Sequence, residues 1–107
     1  MNDRELLELA ARAAGYKLIW SYDKHCCWIN EMRHDFDVTW NPLTDDGDAL
    51  RLAVKLNLTV SVCGEFTKVS YGWGEGIIEY ANESKDAATC RAIVRAAAIM
   101  GEMLCRL

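Results

Sequence analysis

A chain of 107 residues with 51% hydrophobic and 26% charged side chains has the make-up of an ordinary soluble globular protein, a single domain over residues 1–107 with a modest core. Sixteen acidic residues against twelve basic ones leave a formal charge of −4, so the global phosphate-neutralising charge that nucleic-acid binding draws on is missing. Five cysteines, Cys26, Cys27, Cys63, Cys90 and Cys105, are an odd, scattered set. They read as free thiols in a reducing cytoplasm, with Cys63, Cys90 and Cys105 acting as small buried hydrophobes.

In chain order, Asn2 or Asp3 caps a first helix that runs to Ala14, where Gly15 stops it. Leu6, Leu7, Ala10 and Ala14 form its apolar stripe, and Arg4, Glu5, Glu8 and Arg12 face out. The charged opening reads as the start of that helix rather than as a signal peptide. No apolar run approaches the roughly 18 to 20 residues that span a bilayer, so a cytoplasmic protein without membrane contact is expected. Residues 16–21 read as a strand with Leu18 and Trp20 on one face. Residues 22–25 are turn-like, 27–30 form a second strand, 31–37 are a polar loop, and 38–40 are a third short strand.

The run Trp40-Asn41-Pro42-Leu43-Thr44-Asp45-Asp46-Gly47-Asp48 is a strand-to-helix corner. Its helix starts at Thr44 or Asp45 and ends at Leu56. Ala49, Leu52, Ala53 and Leu56 make the stripe, which Leu50 and Val54 widen, and Asn57 supplies a left-handed cap. Residues 58–63 alternate cleanly, with Leu58, Val60 and Val62 on one face and Thr59, Ser61 and Cys63 on the other. Strands at 67–71 and 77–80 follow, linked by the glycine-rich segment 72–76. The last helix spans about 86–105, with Cys90, Ile93, Ala97, Met100 and Leu104 along one side; Arg91, Arg95 and Arg106 are its solvated face. The order helix–strands–helix–strands–helix with hairpin-length links predicts an α+β fold, an antiparallel sheet of about five strands packed with three helices. The two halves share this outline without a residue-level repeat.

Few constellations carry chemistry. Thr44 to Asp48 holds three carboxylates, but an EF-hand requires a glutamate six residues past its glycine, and that position is Ala53. The carboxylates are better read as the first-turn acids of a capped helix. His25, Cys26, Cys27 and His34 are the one cluster of metal-ligand types. Adjacent strand cysteines point to opposite faces and no second knuckle exists, so neither a metal nor a cofactor is expected. A thiol enzyme built on Cys26 or Cys27 with His25 or His34 is a less favoured alternative. The Gly72-x-Gly74-x-Gly76 run leads into a strand rather than a helix, unlike a phosphate loop. Trp73 at its tip is a candidate interface anchor, and His25 and His34 are the other candidate binding residues.

Three blocks carry a family resemblance: residues 40–54, residues 87–98 in the last helix, and the opening Glu5-Leu6-Leu7-Glu8-Leu9-Ala10-Ala11 with Ala14-Gly15-Tyr16. Through them the chain resembles the small phage and prophage proteins of the phage ABA-sandwich family. The resemblance implies an α/β sandwich encoded by a phage or prophage, located in the host cytoplasm, with no activity or functional residue to transfer; residues 22–37 lie outside the matching blocks. A non-enzymatic accessory protein that binds a host, defence or phage protein is the leading expectation. The alternative is a protein that sequesters a small molecule or nucleotide, which calls for a pocket lined by Trp and Arg, and a homo-oligomer fits either reading.

Overall fold

The computed structural model describes residues 2–20, 27–29, 38–71, 76–80 and 84–105. The elements are α1 (Asp3–Ala14), β1 (Leu18–Trp20), β2 (Cys27–Ile29), β3 (Val38–Thr39), α2 (Asp46–Lys55), β4 (Thr59–Val62), β5 (Phe66–Ser70), β6 (Gly76–Tyr80) and α3 (Lys85–Cys105). The α+β class is as the sequence predicts. The single sheet of about five strands is not. The strands pair as two separate antiparallel meanders, β1-β2-β3 and β4-β5-β6.

Both short helices end in the same device. In α1 the N–H of Tyr16 reaches the Ala11 carbonyl at 2.9 Å, that of Gly15 reaches Arg12 at 3.1 Å, and Gly15 has φ 76°. In α2 the N–H of Leu58 reaches Ala53 at 2.9 Å, that of Asn57 reaches Val54 at 3.2 Å, and Asn57 has φ 56°. Each is a Schellman motif, which satisfies the last carbonyls of the helix and throws the chain straight into a strand. The starts are equally well specified. Asn2 Oδ1 accepts the Glu5 N–H at 2.8 Å, Asp45 Oδ1 accepts that of Asp48 at 2.9 Å, and Ser84 Oγ accepts that of Ala87 at 3.2 Å. Side-chain acceptors at these positions remove orphan donors and are worth about 1 kcal/mol each.

The corner that precedes α2 is a hydrogen-bonded knot. The Asp48 carboxylate is buried and takes the Asn41 N–H on Oδ2 at 3.0 Å and Arg51 on Oδ1 at 2.7 Å. Asn41 Oδ1 accepts the Leu43 N–H at 3.1 Å, and the Asn41 carbonyl accepts that of Asp45 at 2.9 Å. Trp40 and Pro42 are buried beside it. These acids therefore fix a chain reversal as well as offsetting a helix dipole.

The core lies around α3, which packs on α1, on α2 and on the inner face of β5 and β6. Ala88, Ala92, Val94, Ala96, Ala97, Ala98 and Gly101 are all buried, an all-round burial that requires an apolar helix with few bulky side chains. A Cβ on Gly101 would overlap the Leu9 carbonyl, 2.8 Å from its carbon, so α1 and α3 cross at backbone contact. Polar pairs link α3 to the sheet and to α1. The Thr67 and Thr89 hydroxyls are 2.9 Å apart, Arg95 pairs with Glu79 on β6, and Arg91 pairs with Asp3 on α1. Arg91 and Arg95 thus reach solvent and also make ion pairs to neighbouring elements, and Arg106 lies outside the described residues.

Several apolar expectations fail, and Val62 and Leu104, each placed on an apolar face from the sequence, are among the exposed residues. Leu50 and Val54 are 64% and 68% exposed, because α2 packs chiefly on α3 and buries the arc of Asp48, Ala49, Leu52 and Ala53. Cys63 is exposed, whereas Cys90 is buried. Cys63 follows the outward-facing Thr59 and Ser61 in alternation, and no described helix lies on that side of the sheet.

Candidate functional site

His25, His34 and Trp73, the residues singled out from the sequence, lie outside the described residues, as do Cys26 and the glycine-rich link 72–75. Among the described residues no group of three His, Cys, Asp or Glu is placed to hold a metal ion, and no helix is long and apolar enough to cross a membrane. Cys90 is poorly suited to nucleophilic chemistry. Burial, with the Asp46 carboxylate that accepts its S–H at 3.3 Å, pushes its thiol from 9.0 up to about 11, and Asp86 and Asp45 act in the same direction. A neutral thiol is a weak nucleophile.

Two surfaces remain open. The first is the outer face of the β4–β6 sheet. Register places Phe66 opposite Tyr80 and Lys68 opposite Ile78, with Ser61 across from Lys68 on the other side. Strand alternation turns these side chains away from α3, since their neighbours Val69 and Thr67 are the buried ones. Phe66 and Tyr80 form a tilted ring pair, centroids 6.3 Å apart. Tyr80 is 65% exposed and Ile78 47%. The result is a mixed face: three large apolar side chains, a central cation and a hydroxyl fringe of Thr59, Ser61 and Ser70.

The second surface is a cleft of about 580 Å³ between α1 and the segment leading into β1. Glu8, Ala11 and Arg12 line it from the helix, and Tyr16, Lys17, Leu18 and Trp20 from the strand side. The Schellman turn at Gly15 makes it, by folding β1 back along α1. The aromatic rings are held by cations. The Arg4 guanidinium lies 5.4 Å from the Trp20 ring centroid and the Lys55 ammonium 4.5 Å from that of Tyr16. Tyr16 also meets Trp40 edge-to-face at 5.8 Å. Trp20 Nε1 is shielded from solvent and has no hydrogen-bond partner among the described residues.

No protein-family model, curated protein or solved structure matches the chain. The geometry of these two surfaces therefore carries the functional reading. Neither was singled out from the sequence. The alternation of residues 58–63 flagged the sheet's polar side, but pairing of Phe66 with Tyr80 depends on register. The cleft depends on the direction in which β1 leaves the Gly15 turn.

Proposed function

We propose that this protein is a phage- or prophage-encoded accessory protein that acts by binding a host or defence protein, and not by catalysis. The observation that supports this reading is the uncovered β4–β6 face, where Phe66, Ile78 and Tyr80 lie in contact range around Lys68. Large aromatic side chains exposed together are typical of interface centres. The single lysine selects a partner patch that is apolar with a carboxylate. It also disfavours self-association, because a two-fold pairing centred on this face sets Lys68 against Lys68. Trp73, in the sequence between β5 and β6 and outside the described residues, remains a second candidate anchor.

The test is quantitative enrichment from host lysate by the tagged protein, comparing wild type with an Ile78→Asp/Tyr80→Asp variant and with Trp73→Ala. A specific host protein held by wild type and lost by the double variant, at an unchanged urea midpoint, is the expected result. Equal retention by the double variant, or nothing held by wild type beyond its own second copy, contradicts the reading. A second reading, sequestration of a small molecule, is favoured by one observation, the aromatic and basic cleft between α1 and β1.

A further inference from the structure

We propose that β6 is a docking edge, where an extended segment of the partner protein joins the β4–β6 sheet as a fourth strand and sets an apolar side chain into the groove beside it. The inference rests on the protein-binding reading and says how the partner is held. The Cys63 N–H reaches the Phe66 carbonyl at 2.8 Å, so Phe66 turns its backbone groups toward β4. Alternation then turns those of Thr67 and Val69 toward Glu79 and Ile77 on β6. Gly76, Ile78 and Tyr80 are left with their N–H and C=O groups pointing away from β5. Among the described residues no further strand pairs with β6. Edges are commonly guarded by proline, lysine or an inward charge. β6 has no proline or lysine, and its inward Glu79 is neutralised by Arg95.

The groove gives the added strand a place for a side chain. Arg91, Arg95, Ile99 and Glu102 form a partly open stripe along α3. Arg91 pairs with Asp3 of α1 and Arg95 with Glu79 of β6, so the stripe is a floor between α1 and β6. A cavity of about 190 Å³ lies on it, lined by Leu6, Arg95, Ala98, Ile99 and Glu102. That is below the roughly 300–1,000 Å³ of small-molecule sites, and the Leu6, Ala98 and Ile99 walls suit a single apolar side chain. Strand addition works in this way, with main-chain bonds holding the segment and pockets choosing its alternate side chains. On the added strand, side chains level with Ile77 and Glu79 face the groove, and their neighbours extend the outer face of Phe66, Ile78 and Tyr80. The edge is therefore continuous with the surface assigned to the partner. Five residues of edge, about 17 Å of strand, supply little of the roughly 800 Å² per partner that a standard interface buries. This favours a partner that also covers the outer face over a second copy joined by the edge alone.

The experiment combines peptide selection with amide hydrogen exchange by NMR on the full chain. In the free protein the Gly76, Ile78 and Tyr80 amides are expected to exchange faster than those of Ile77 and Glu79. A displayed library of random peptides about ten residues long, the upper length of ordinary strands, supplies the probe, and the best binder is synthesised. That peptide is expected to slow exchange at Gly76, Ile78 and Tyr80. Ile99→Trp fills the cavity and is expected to weaken the peptide by about tenfold or more. Ile99→Ala enlarges the cavity and is expected to shift selection toward a larger apolar side chain, which keeps the pocket testable if the tryptophan variant fails to fold. Selection of no peptide, or of peptides that leave the three amides unchanged, overturns the proposal. Affinity and selection unchanged by both Ile99 variants overturn it too. So does protection of the three amides in the free chain, by another segment of the chain if it persists on dilution and by a second copy if it does not. A host protein lost by Ile78→Asp/Tyr80→Asp but held by Ile99→Trp leaves the outer-face reading in place and removes the edge.

Discussion

Asp48 shows how much of the fold can hang on one side chain. Its carboxylate is buried and accepts a backbone N–H from the preceding loop and an arginine from the following turn, so it ties the β3–α2 corner to its own helix. Asp48→Ala leaves the Asn41 N–H without its acceptor and is expected to cost about 2–3 kcal/mol, in line with hydrogen bonds to charged groups. Asp45→Ala removes only a cap and is expected to cost about 1 kcal/mol. Urea unfolding of the two variants checks the order, and the reverse order contradicts this assignment of roles. Cys90 offers a pH test. Its thiol is held at about 11 in the folded chain against 9.0 when unfolded. The folded state therefore binds the proton more tightly, and the stability this gives is complete below pH 9. It is lost as pH rises through 11, by about 2–3 kcal/mol at 1.36 kcal/mol per unit. The difference in stability between wild type and Cys90→Ala is expected to narrow across that window; a constant difference contradicts the burial argument.

At the scale of elements, the helices were legible because their ends are written in local chemistry. Asn2 and Asp45 cap them, and Gly15 and Asn57 close them in left-handed conformations. What each element buries was less legible, because it depends on neighbours that local pattern does not specify. Leu50 and Val54 look like part of a stripe, yet α2 is covered on one side only. Cys63 looks like a buried thiol, yet among the described residues the sheet carries a helix on one face alone. Two variants measure this difference in environment. Leu50→Ser/Val54→Ser is expected to change stability by no more than about 0.5 kcal/mol per site, as for ordinary surface substitutions. Gly101→Ala forces a methyl onto the Leu9 carbonyl and is expected to cost about 1–3 kcal/mol, the range for overpacking. Thermal melts distinguish them, and a larger loss from the double surface variant contradicts the assigned packing.

At the scale of the whole molecule, the chain is two α-β-β-β units followed by one long helix. Each unit runs from a capped helix through a Schellman turn into a three-stranded meander, the shared outline visible in the sequence without shared residues. The third helix packs on the first helix, the second helix and the β5–β6 strands. One consequence of this plan is functional: with α3 on its inner side, the β4–β6 sheet leaves Phe66, Ile78 and Tyr80 facing outward. Photo-crosslinking tests whether that face is the working surface. A photoreactive phenylalanine analogue is placed at Tyr80 and, as a control of similar exposure and apolarity, at Leu50, and both proteins are irradiated in host lysate. A discrete host-protein adduct from position 80 and none from position 50 is expected. No adduct at 80, or the same adducts at both positions, contradicts a binding role for this sheet.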